Sequence, residues 1–277
     1  MTEAADQTKR RPVRRSERMA AILESLTVQS SVEVSLLATR FAVSEATLRR
    51  DLGLLEEQRL LTRTHGGAVA QDLAFELPVR YRGTQRRAEK RAIAEAAAAE
   101  VPIGPHVVAF TGGTTTSEVA RRVTDHGELT VVTNALNIAM DLVLRPQVKV
   151  IVVGGVSRPQ SYELVGPWAE DFIAAVNIGT IFVGVDGISA RGGLTTHDEM
   201  EAATNRAMID RAERVVVVAD SSKLGRVMLA RIAALDVVDV LITDSGTDVD
   251  DTTAEIDAIR ALGVTVVAVT AAPATER

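Results

Sequence analysis

The sequence predicts a two-domain α/β protein, in which a small helical domain with a β-hairpin precedes a doubly wound, mainly parallel sheet. Residues 16–68 contain three short amphipathic helices and a glycine-containing hairpin. From residue 91 onward, runs of Val and Ile alternate with helical segments, which is typical of strands buried on both faces of a parallel sheet. Aromatic residues make up only 3% of the chain, so Val, Ile, Leu and Ala must build the core.

The composition excludes several classes of protein. The 277-residue chain has no cysteine, which excludes disulfides, thiolate metal sites and cysteine catalysis. No apolar run approaches the ~20 residues that span a bilayer, and the N-terminus lacks the apolar stretch of a secretory signal. We therefore expect a cytoplasmic protein with no membrane partner, no cofactor and no metal site.

The polar, basic composition of residues 1–15 predicts a disordered tail, and we expect the first domain to comprise residues 16–70. A minor strand is expected near Val32 and Val34, and Leu60–Ala68 is expected to form a hairpin. Serines at the three predicted helix starts can cap them, namely Ser16, Ser35 and Ser44. The apolar faces of these helices recur at spacings of three and four, and consist of Met19, Ile22, Leu23 and Leu26, then Leu36, Leu37 and Phe41, then Leu48, Leu52 and Leu55.

This order of helices and hairpin is that of a winged helix-turn-helix, which places its third helix in the major groove of DNA. Arginine can bind guanine through two hydrogen bonds, and Thr or Ala can pack on a thymine methyl group. Arg49 and Arg50 lie about 100° apart on a helix, so one can read a base while the other holds a phosphate. The predicted DNA-binding residues are Ser44, Glu45, Ala46, Thr47, Arg49 and Arg50 in the helix, and Arg63 and His65 beside Gly66 and Gly67 in the hairpin.

The charge is unevenly distributed, since residues 1–70 carry a net +2 and residues 71–277 a net −8. A basic end on an acidic body suits a protein that touches DNA with one part only. A chance difference between domains would give the same asymmetry, and an arginine pair on a surface helix can simply be solvated. The helix order and the hairpin together favour DNA binding over these alternatives.

Residues 71–89, which include Pro78 and several arginines, predict a linker, and residues 90–273 predict the second domain. Alternation of strands and helices in this domain predicts the doubly wound sheet. The predicted strands are 107–110, 129–133, 148–153, 180–185, 214–219, 238–243 and 264–269, and the predicted helices are 93–101, one from about 116, 137–144, 199–213 and 254–262.

Several predicted strands end in polar, glycine-rich segments, and ligands of open α/β sheets gather at the carboxyl ends of strands. Thr111–Thr116 follows a buried strand and opens a helix, where backbone N–H groups can bind an anion. Lys223 can add a positive charge. A plain turn with a threonine cap and a surface lysine are the alternatives. The residues at these strand ends are Gly112, Gly113, Thr114, Thr115, Thr116, Thr133, Asn134, Gly154, Gly155 and Lys223.

The stretch Val43-Ser44-x-x-Thr47-Leu48-Arg49-Arg50-Asp51-Leu52-x-x-Leu55-Glu56, followed by Arg63-Thr64-His65-Gly66-Gly67-Ala68, resembles the signature of the DeoR family of bacterial transcriptional regulators. The resemblance extends from about residue 16 to 245. It implies a second domain similar to ribose-5-phosphate isomerases that binds a phosphorylated sugar or related metabolite and loosens the grip on operator DNA. The matching stretches add Gly184, Asp186, Thr195 and Thr196 to the predicted effector-binding residues. The chain departs from the family pattern at Thr111, where aspartate is usual, and so lacks an acceptor for sugar hydroxyls.

We therefore expect a homo-oligomeric repressor of carbohydrate metabolism genes that has no catalytic residues. A rival interpretation is an active sugar-phosphate isomerase or deaminase with a DNA-binding appendage. Aldose–ketose isomerisation needs a general base, and four acidic residues near strand ends are candidates: Asp186, Asp198, Glu199 and Asp220. A third possibility is a constitutive DNA-binding protein with a purely structural second domain.

Overall fold

The computed structural model describes most of the chain, namely residues 13–70, 76–123, 128–246 and 249–271. The chain divides into two compact units, Met1–Gln85 and Arg86–Arg277. Within the described residues, no helix is long and apolar enough to cross a lipid bilayer. The predicted class, a small helical domain followed by a parallel α/β domain, is confirmed.

The described part of the first unit is a winged helix-turn-helix. Its three strands form an antiparallel sheet in the order β1-β3-β2, and its helices pack around fully buried side chains such as Ile22, Leu48 and Leu55. Along the chain the elements are α1 (Arg15–Gln29), β1 (Ser31–Glu33), α2 (Val34–Phe41), α3 (Glu45–Glu57), β2 (Thr62–Arg63), β3 (Gly67–Val69) and α4 (Val79–Arg82).

The helix caps agree with the sequence only in part. Ser44 caps α3 as predicted, because its side-chain oxygen accepts a hydrogen bond from Thr47 N at 3.2 Å. The predictions for Ser16 and Ser35 are wrong, since both serines lie one residue inside their helices. Helix α2 begins earlier because Val34 is buried and its N–H donates to Gly66 O at 2.9 Å, which fixes the start of the helix against the hairpin.

The predicted linker, residues 71–89, contains helical structure in its described part. Residues 71–75 lie outside the described residues, as do residues 1–12 of the predicted tail. Helix α4 buries Tyr81 in the core of the first unit, and the Tyr81 hydroxyl donates to Gln58 Oε1 at 2.7 Å. A helix of one turn shows no periodicity, so the sequence could not reveal it. Only residues 83–85 separate α4 from Arg86.

The second unit alternates strands and helices as predicted, with extra short strands. Two short 3₁₀ turns, Ser221–Lys223 and Leu235–Val237, follow β12 and β13. Along the chain the elements are α5 (Arg87–Ala98), β4 (His106–Phe110), α6 (Thr114–Val123), β5 (Leu129–Thr133), α7 (Leu136–Leu142), β6 (Val148–Val152), β7 (Val156–Arg158), β8 (Glu163–Val165), α8 (Pro167–Ile173), β9 (Ile178–Val183), β10 (Gly187–Ser189), β11 (Gly193–Thr196), α9 (Glu199–Ile209), β12 (Ala212–Val218), β13 (Ala230–Ala233), β14 (Val240–Asp244), α10 (Val249–Ala261) and β15 (Thr265–Val269).

Seven parallel strands form the central sheet, in the order β15-β14-β12-β9-β4-β5-β6. The chain runs outward from β4 through β5 to β6, and then returns to β9 on the other side of β4. The order of strands therefore reverses between β4 and β9. In open parallel sheets the ligand crevice lies at the carboxyl ends of the strands at such a reversal. Two apolar clusters in this unit, one containing Ile181 and Val217 and the other Phe110 and Val216, form its core.

The short antiparallel strands of the second unit were not predicted. Strands β7 and β8 pair with each other, and β10, β11 and β13 form a small sheet of their own. Each has only three or four residues, which is too few to show an alternating pattern. The helix predicted at 199–213 ends at Ile209, and the strand predicted at 180–185 ends at Val183, so the polar residues after Val183 belong to a loop.

Candidate DNA-binding surface and ligand-binding crevice

Helix α3 presents the predicted DNA-binding residues on its outer side. Its inner side is fixed by Leu48 and Leu52, which are buried in the core of the first unit. Arg49 Nη2 donates to Glu45 Oε2 at 3.0 Å, and both side chains are exposed. Thr47 is half-buried and its hydroxyl lies 2.9 Å from Ser44 Oγ. The exposed members of the predicted set on this helix and its cap are Ser44, Glu45, Ala46, Arg49 and Arg50.

A buried carboxylate that the sequence analysis did not single out fixes α3 to α1. Asp51, at 2% exposed, accepts hydrogen bonds from Arg18 Nε at 2.6 Å and from Arg15 Nε at 3.1 Å. Arg18 is itself buried. Since Asp51 directly follows the two exposed arginines, this ion pair sets the rotation with which Arg49 and Arg50 face solvent. The signal in the sequence was an acidic residue among the apolar positions of the helix.

The hairpin places its tip beside the start of α3. Glu45 and Arg49 line one groove together with Thr64 and Gly66 of the hairpin. Arg63 is exposed, and its N–H donates to Glu56 Oε1 at 3.0 Å. His65 is also exposed. The predicted DNA-binding residues therefore lie on two neighbouring elements of one surface.

Gly67 lies where the backbones of β1 and β3 are in close contact. A Cβ atom at this position would lie 1.8 Å from Val32 O, so only glycine lets β3 approach β1 this closely. The close approach is thus to the protein's own backbone, whereas a Cβ atom at Gly66 would meet nothing within 4 Å.

In the second unit, Thr111 and Gly184 join the carboxyl ends of β4 and β9. Gly184 N–H donates to Thr111 Oγ1 at 2.9 Å, and Thr111 is fully buried. A Cβ atom at Gly184 would lie 2.5 Å from Gly112 O, so the two loops are in close contact. Thr111 therefore connects the two strands at the reversal, and its burial shows that its hydroxyl has a structural role.

The segment Gly112–Thr116 opens α6 as the sequence indicated, but two of its donor groups already have partners. Gly112 N–H donates to Glu163 Oε1 at 2.6 Å, and the Thr116 hydroxyl donates to Gly113 O at 3.0 Å. Thr115 is buried, and Thr114 is half-exposed. Because the first N–H groups of a helix have no acceptor within the helix, the start of α6 retains donors for an anion.

The residues after β5 and β6 have mostly structural roles. The Thr133 hydroxyl donates to Phe110 O at 2.8 Å, and Asn134 Nδ2 donates to Asn205 Oδ1 at 3.2 Å, with both residues fully buried. A Cβ atom at Gly155 would lie 2.9 Å from Val165 O, so this glycine allows a close approach to β8. Gly154 is exposed. Asn134 is therefore buried beside Asn205 of α9, whereas Gly155 lies against β8 and Gly154 faces solvent.

Asp186 and Lys223 meet at the other side of the crevice. Lys223 Nζ lies 3.5 Å from Asp186 Oδ1, and Asp186 Oδ2 accepts a hydrogen bond from the Thr196 hydroxyl at 3.2 Å. The Lys223 side chain is 22% exposed. Thr195, by contrast, is buried and its hydroxyl donates to Gly187 O at 3.1 Å.

Two buried glutamates, which the sequence analysis missed, complete the crevice. Glu201 Oε1 accepts from the Thr196 hydroxyl at 2.5 Å, and Glu201 Oε2 accepts from Arg158 Nη1 at 3.1 Å. Glu163 is 1% exposed. The role of Glu163 could not be predicted because strand β8 is too short to recognise in the sequence. The role of Glu201 could not be predicted because this residue lies within a helix.

The surroundings of these glutamates favour their protonated forms. Burial raises the pKa of Glu163, although the hydrogen bond from Gly112 N–H acts in the opposite direction. Burial also raises the pKa of Glu201 well above its usual value, and the neighbouring charges of Glu163 and Asp186 raise it further. The pKa of each of these two carboxyl groups therefore lies above that of a solvent-exposed glutamate.

Comparison with known proteins agrees with this arrangement. Residues 18–73 match the family described as the DeoR-like helix-turn-helix domain, and residues 85–245 match the DeoR C terminal sensor domain. The chain is 38% identical to the HTH-type transcriptional regulator GlpR of Haloferax volcanii, over 91% of this chain and 97% of that protein. It is 33% identical to the glycerol-3-phosphate regulon repressor of Escherichia coli K12, over 84% and 92% of the respective chains.

A more distant similarity exists to a solved structure. Ribose 5 phosphate isomerase A from Neisseria gonorrhoeae aligns with 52% of this chain and 54% of its own, at 16% identity and a TM-score of 0.36, which is too weak to support an inference about function. The matches in sequence confirm the resemblance found in the recognition-helix and hairpin motifs. The chain belongs to the DeoR family of transcriptional regulators.

Proposed function

We propose that this regulator is a repressor that binds operator DNA through α3 and the hairpin, and that it releases DNA when a phosphorylated sugar or polyol binds the crevice. The observation that carries the proposal is the group of polar side chains at the carboxyl ends of β4 and β9, where the start of α6 and Lys223 offer positive groups beside buried carboxyl groups. The relatives named as repressors, one of them of a glycerol-3-phosphate regulon, support the same function.

On DNA, we assign Arg50 to the direct reading of a base. Arg49 is already bonded to Glu45, so it is better suited to a phosphate, which it can reach while that pair holds its direction. Arg63, on the hairpin, would contact a second phosphate. These roles follow the general arrangement in which phosphate contacts position the protein and base contacts specify the sequence.

In the crevice, the ligand phosphate would bind the N–H groups at the start of α6, the Thr114 hydroxyl and the Lys223 ammonium group. The ligand hydroxyls would bind the carboxyl groups of Asp186 and Glu201. Thr133 and Thr195 of the predicted set hold the loops from behind, as Thr111 does, and Gly155 and Gly184 allow close approach of the backbone.

A substitution at Lys223 tests this assignment. Lys223→Met nearly preserves the side-chain volume but removes a charge-assisted hydrogen bond worth about 1.5–3 kcal/mol, which lowers ligand affinity about ten- to a hundredfold. The matched control is Lys149→Met, because Lys149 is exposed on the edge strand β6. The ligand would first be identified by thermal shift with a panel of phosphosugars that includes glycerol 3-phosphate, since binding to the folded state raises the melting temperature.

Release of DNA is then measured by fluorescence anisotropy on an operator selected from random DNA. We expect Lys223→Met still to bind this operator, and to require a higher concentration of phosphosugar for release. A Lys223→Met variant that responds at the parent's concentration would place the phosphate elsewhere. If no member of the panel affects melting or DNA binding, the effector assignment is wrong.

One observation favours a second candidate function, an active phosphosugar isomerase. A carboxyl group with a raised pKa, such as Glu201, is suited to general base catalysis near neutral pH. Among the bases that the sequence suggested, Asp220 contacts Arg86, Glu199 is exposed, and Asp198 has a lowered pKa, because hydrogen bonds from Glu201 N–H and Arg158 outweigh its burial. Turnover of aldose phosphates that is lost in Glu201→Gln would establish this activity.

A further inference from the structure

The covalent connection between the two units is short and is held at both ends. On the side of the first unit, Tyr81 of α4 is buried in the core. On the side of the second unit, Arg86 is the first residue. Three residues span at most about 10 Å when fully extended, so a displacement of Arg86 acts on α4 through a tether with little slack.

Arg86 is held in a strained conformation by buried polar groups. Its φ of 48° lies in the left-handed region, which arginine rarely adopts. Its Nη2 donates to Ser221 Oγ at 2.6 Å and to Asp244 Oδ2 at 2.9 Å, and its Nε lies 3.2 Å from Asp220 Oδ1. Strain of this kind persists only where surrounding contacts enforce it, and here the two carboxylates and the serine do so.

The partners of Arg86 also hold the 3₁₀ turn that carries Lys223. Asp244 Oδ1 accepts from Ser221 N–H at 2.7 Å, and Lys223 N–H donates to Asp220 O at 2.9 Å. Asp220 and Asp244 are both 3% exposed. Arg86 and Lys223 are therefore opposite ends of one hydrogen-bonded group, with Lys223 Nζ reaching Asp186 in the crevice.

We propose that this group, Arg86 with Asp220, Ser221 and Asp244, is the latch through which the crevice controls the tether to the DNA-binding unit. The proposal rests on the proposed function for its ligand. A phosphate bound near Lys223 competes with Asp186 for the ammonium group, shifts the 3₁₀ turn and weakens the contacts that hold Arg86 in its strained conformation. A ligand can act at a distance only through an element with two arrangements that both sites bias, and the latch supplies one.

The first test needs no ligand. Hydrogen–deuterium exchange of the full chain is compared for the parent, Lys223→Met and the control Lys149→Met. Since the latch links Lys223 to Arg86, we expect Lys223→Met to speed exchange over residues 83–91 about threefold or more, including the Lys90 amide that donates to Arg86 O at 3.0 Å. Parent-like exchange over these residues in Lys223→Met would overturn the proposal.

The second test measures coupling directly. Operator affinity is measured with and without glycerol 3-phosphate or ribose 5-phosphate, whichever raises the melting temperature of the parent. Coupling of this kind changes operator affinity about 5- to 150-fold, and this ratio of affinities without and with the phosphosugar is the quantity compared. We expect the ratio to fall below about twofold in Arg86→Gln. The variant should still bind both DNA and the phosphosugar. Arg87→Gln, an exposed neighbour on the same helix, keeps the parent's ratio.

Ser221→Ala provides a milder disruption should Arg86→Gln fail to fold, and its ratio is expected to lie between those of Arg86→Gln and the parent. If the folded latch variants keep the parent's full ratio, the latch does not carry the coupling. If the parent itself responds to neither phosphosugar, the proposed effector is wrong, and the exchange measurement still decides whether the latch exists.

Discussion

At the scale of single residues, buried charges fix the direction of the functional side chains. The role of Asp51, which links α3 to α1 through Arg15 and Arg18, was not predicted from the sequence. A local pattern shows which residue types are adjacent along the chain. It cannot show that Arg18, on another helix, is the partner, because that pairing depends on how the helices pack.

Asp51→Ala should destabilise the first unit strongly. Removing one partner of a buried ion pair leaves the other charge uncompensated, which costs about 3–5 kcal/mol. The measurement is urea denaturation of the full chain, followed by circular dichroism. Glu57→Ala, an exposed acidic residue at the end of the same helix, is the control and should change the unfolding free energy by less than about 0.5 kcal/mol. Equal effects of the two substitutions would show that the Arg18 pair contributes little.

Glu201→Gln should stabilise the protein at neutral pH, and the gain should disappear in acid. The folded pKa of Glu201 is raised above its unfolded value, so the folded state binds the extra proton. The stability that Glu201 contributes is fully present when the pH is below 4.5, the usual pKa of glutamate. It is lost as the pH rises through the pKa of Glu201 in the folded protein. Because glutamine cannot ionise, the variant does not lose this stability as the pH rises.

Melting temperatures of Glu201→Gln and the parent between pH 4.5 and 8 measure this effect, and their difference should grow with pH. Glu199→Gln, an exposed residue on the same helix, should follow the parent throughout. A constant difference across this range would mean that the pKa of Glu201 is the same in the folded and the unfolded protein.

At the scale of elements, length decided what the sequence could predict. The central strands were found because each carries five to seven mostly apolar residues, and α3 because its apolar spacing and cap agree. Strands of three residues and the one-turn helix α4 are too short to show a periodic spacing of apolar residues. As a result, the start of α6 and the residues after β9 were located from the sequence, whereas Glu163, on the three-residue strand β8, was not.

Substitutions on the outer side of α3 should separate base reading from phosphate contact. Arg50→Ala should cost about 1–3 kcal/mol of operator binding and relax specificity at one base pair. Arg49→Ala should weaken all sequences alike and lower the slope of log affinity against log salt by about one. Anisotropy titrations at several salt concentrations, on the selected operator and on single-base variants, distinguish the two effects. Arg260→Ala, an exposed arginine of the second unit, is the control. Parent-like binding by both α3 variants would contradict the assignment of α3 to the major groove.

At the scale of the whole molecule, the two units differ in net charge and in the binding residues predicted for them. The N-terminal 70 residues carry the net positive charge and the predicted DNA-binding side chains, while the acidic remainder carries the predicted effector-binding residues. An acidic second unit is repelled by DNA, which confines nonspecific contact to the basic part of the chain. This property does not follow from the fold alone, because it depends on where the charges lie along the chain.

The last prediction concerns assembly. One winged helix contacts too few base pairs for selective binding, and helix-turn-helix proteins extend their reach by pairing two units on half-sites about 34–36 Å apart. We therefore expect a dimer or higher oligomer, joined mainly through the second unit, with a mass by light scattering of at least twice the 29.5 kDa of one chain. The operator selected from random DNA should contain two copies of one half-site in inverted orientation. A monomer at concentrations that saturate the operator, together with a single unrepeated site, would contradict this expectation, since one recognition helix would then have to supply all of the specificity.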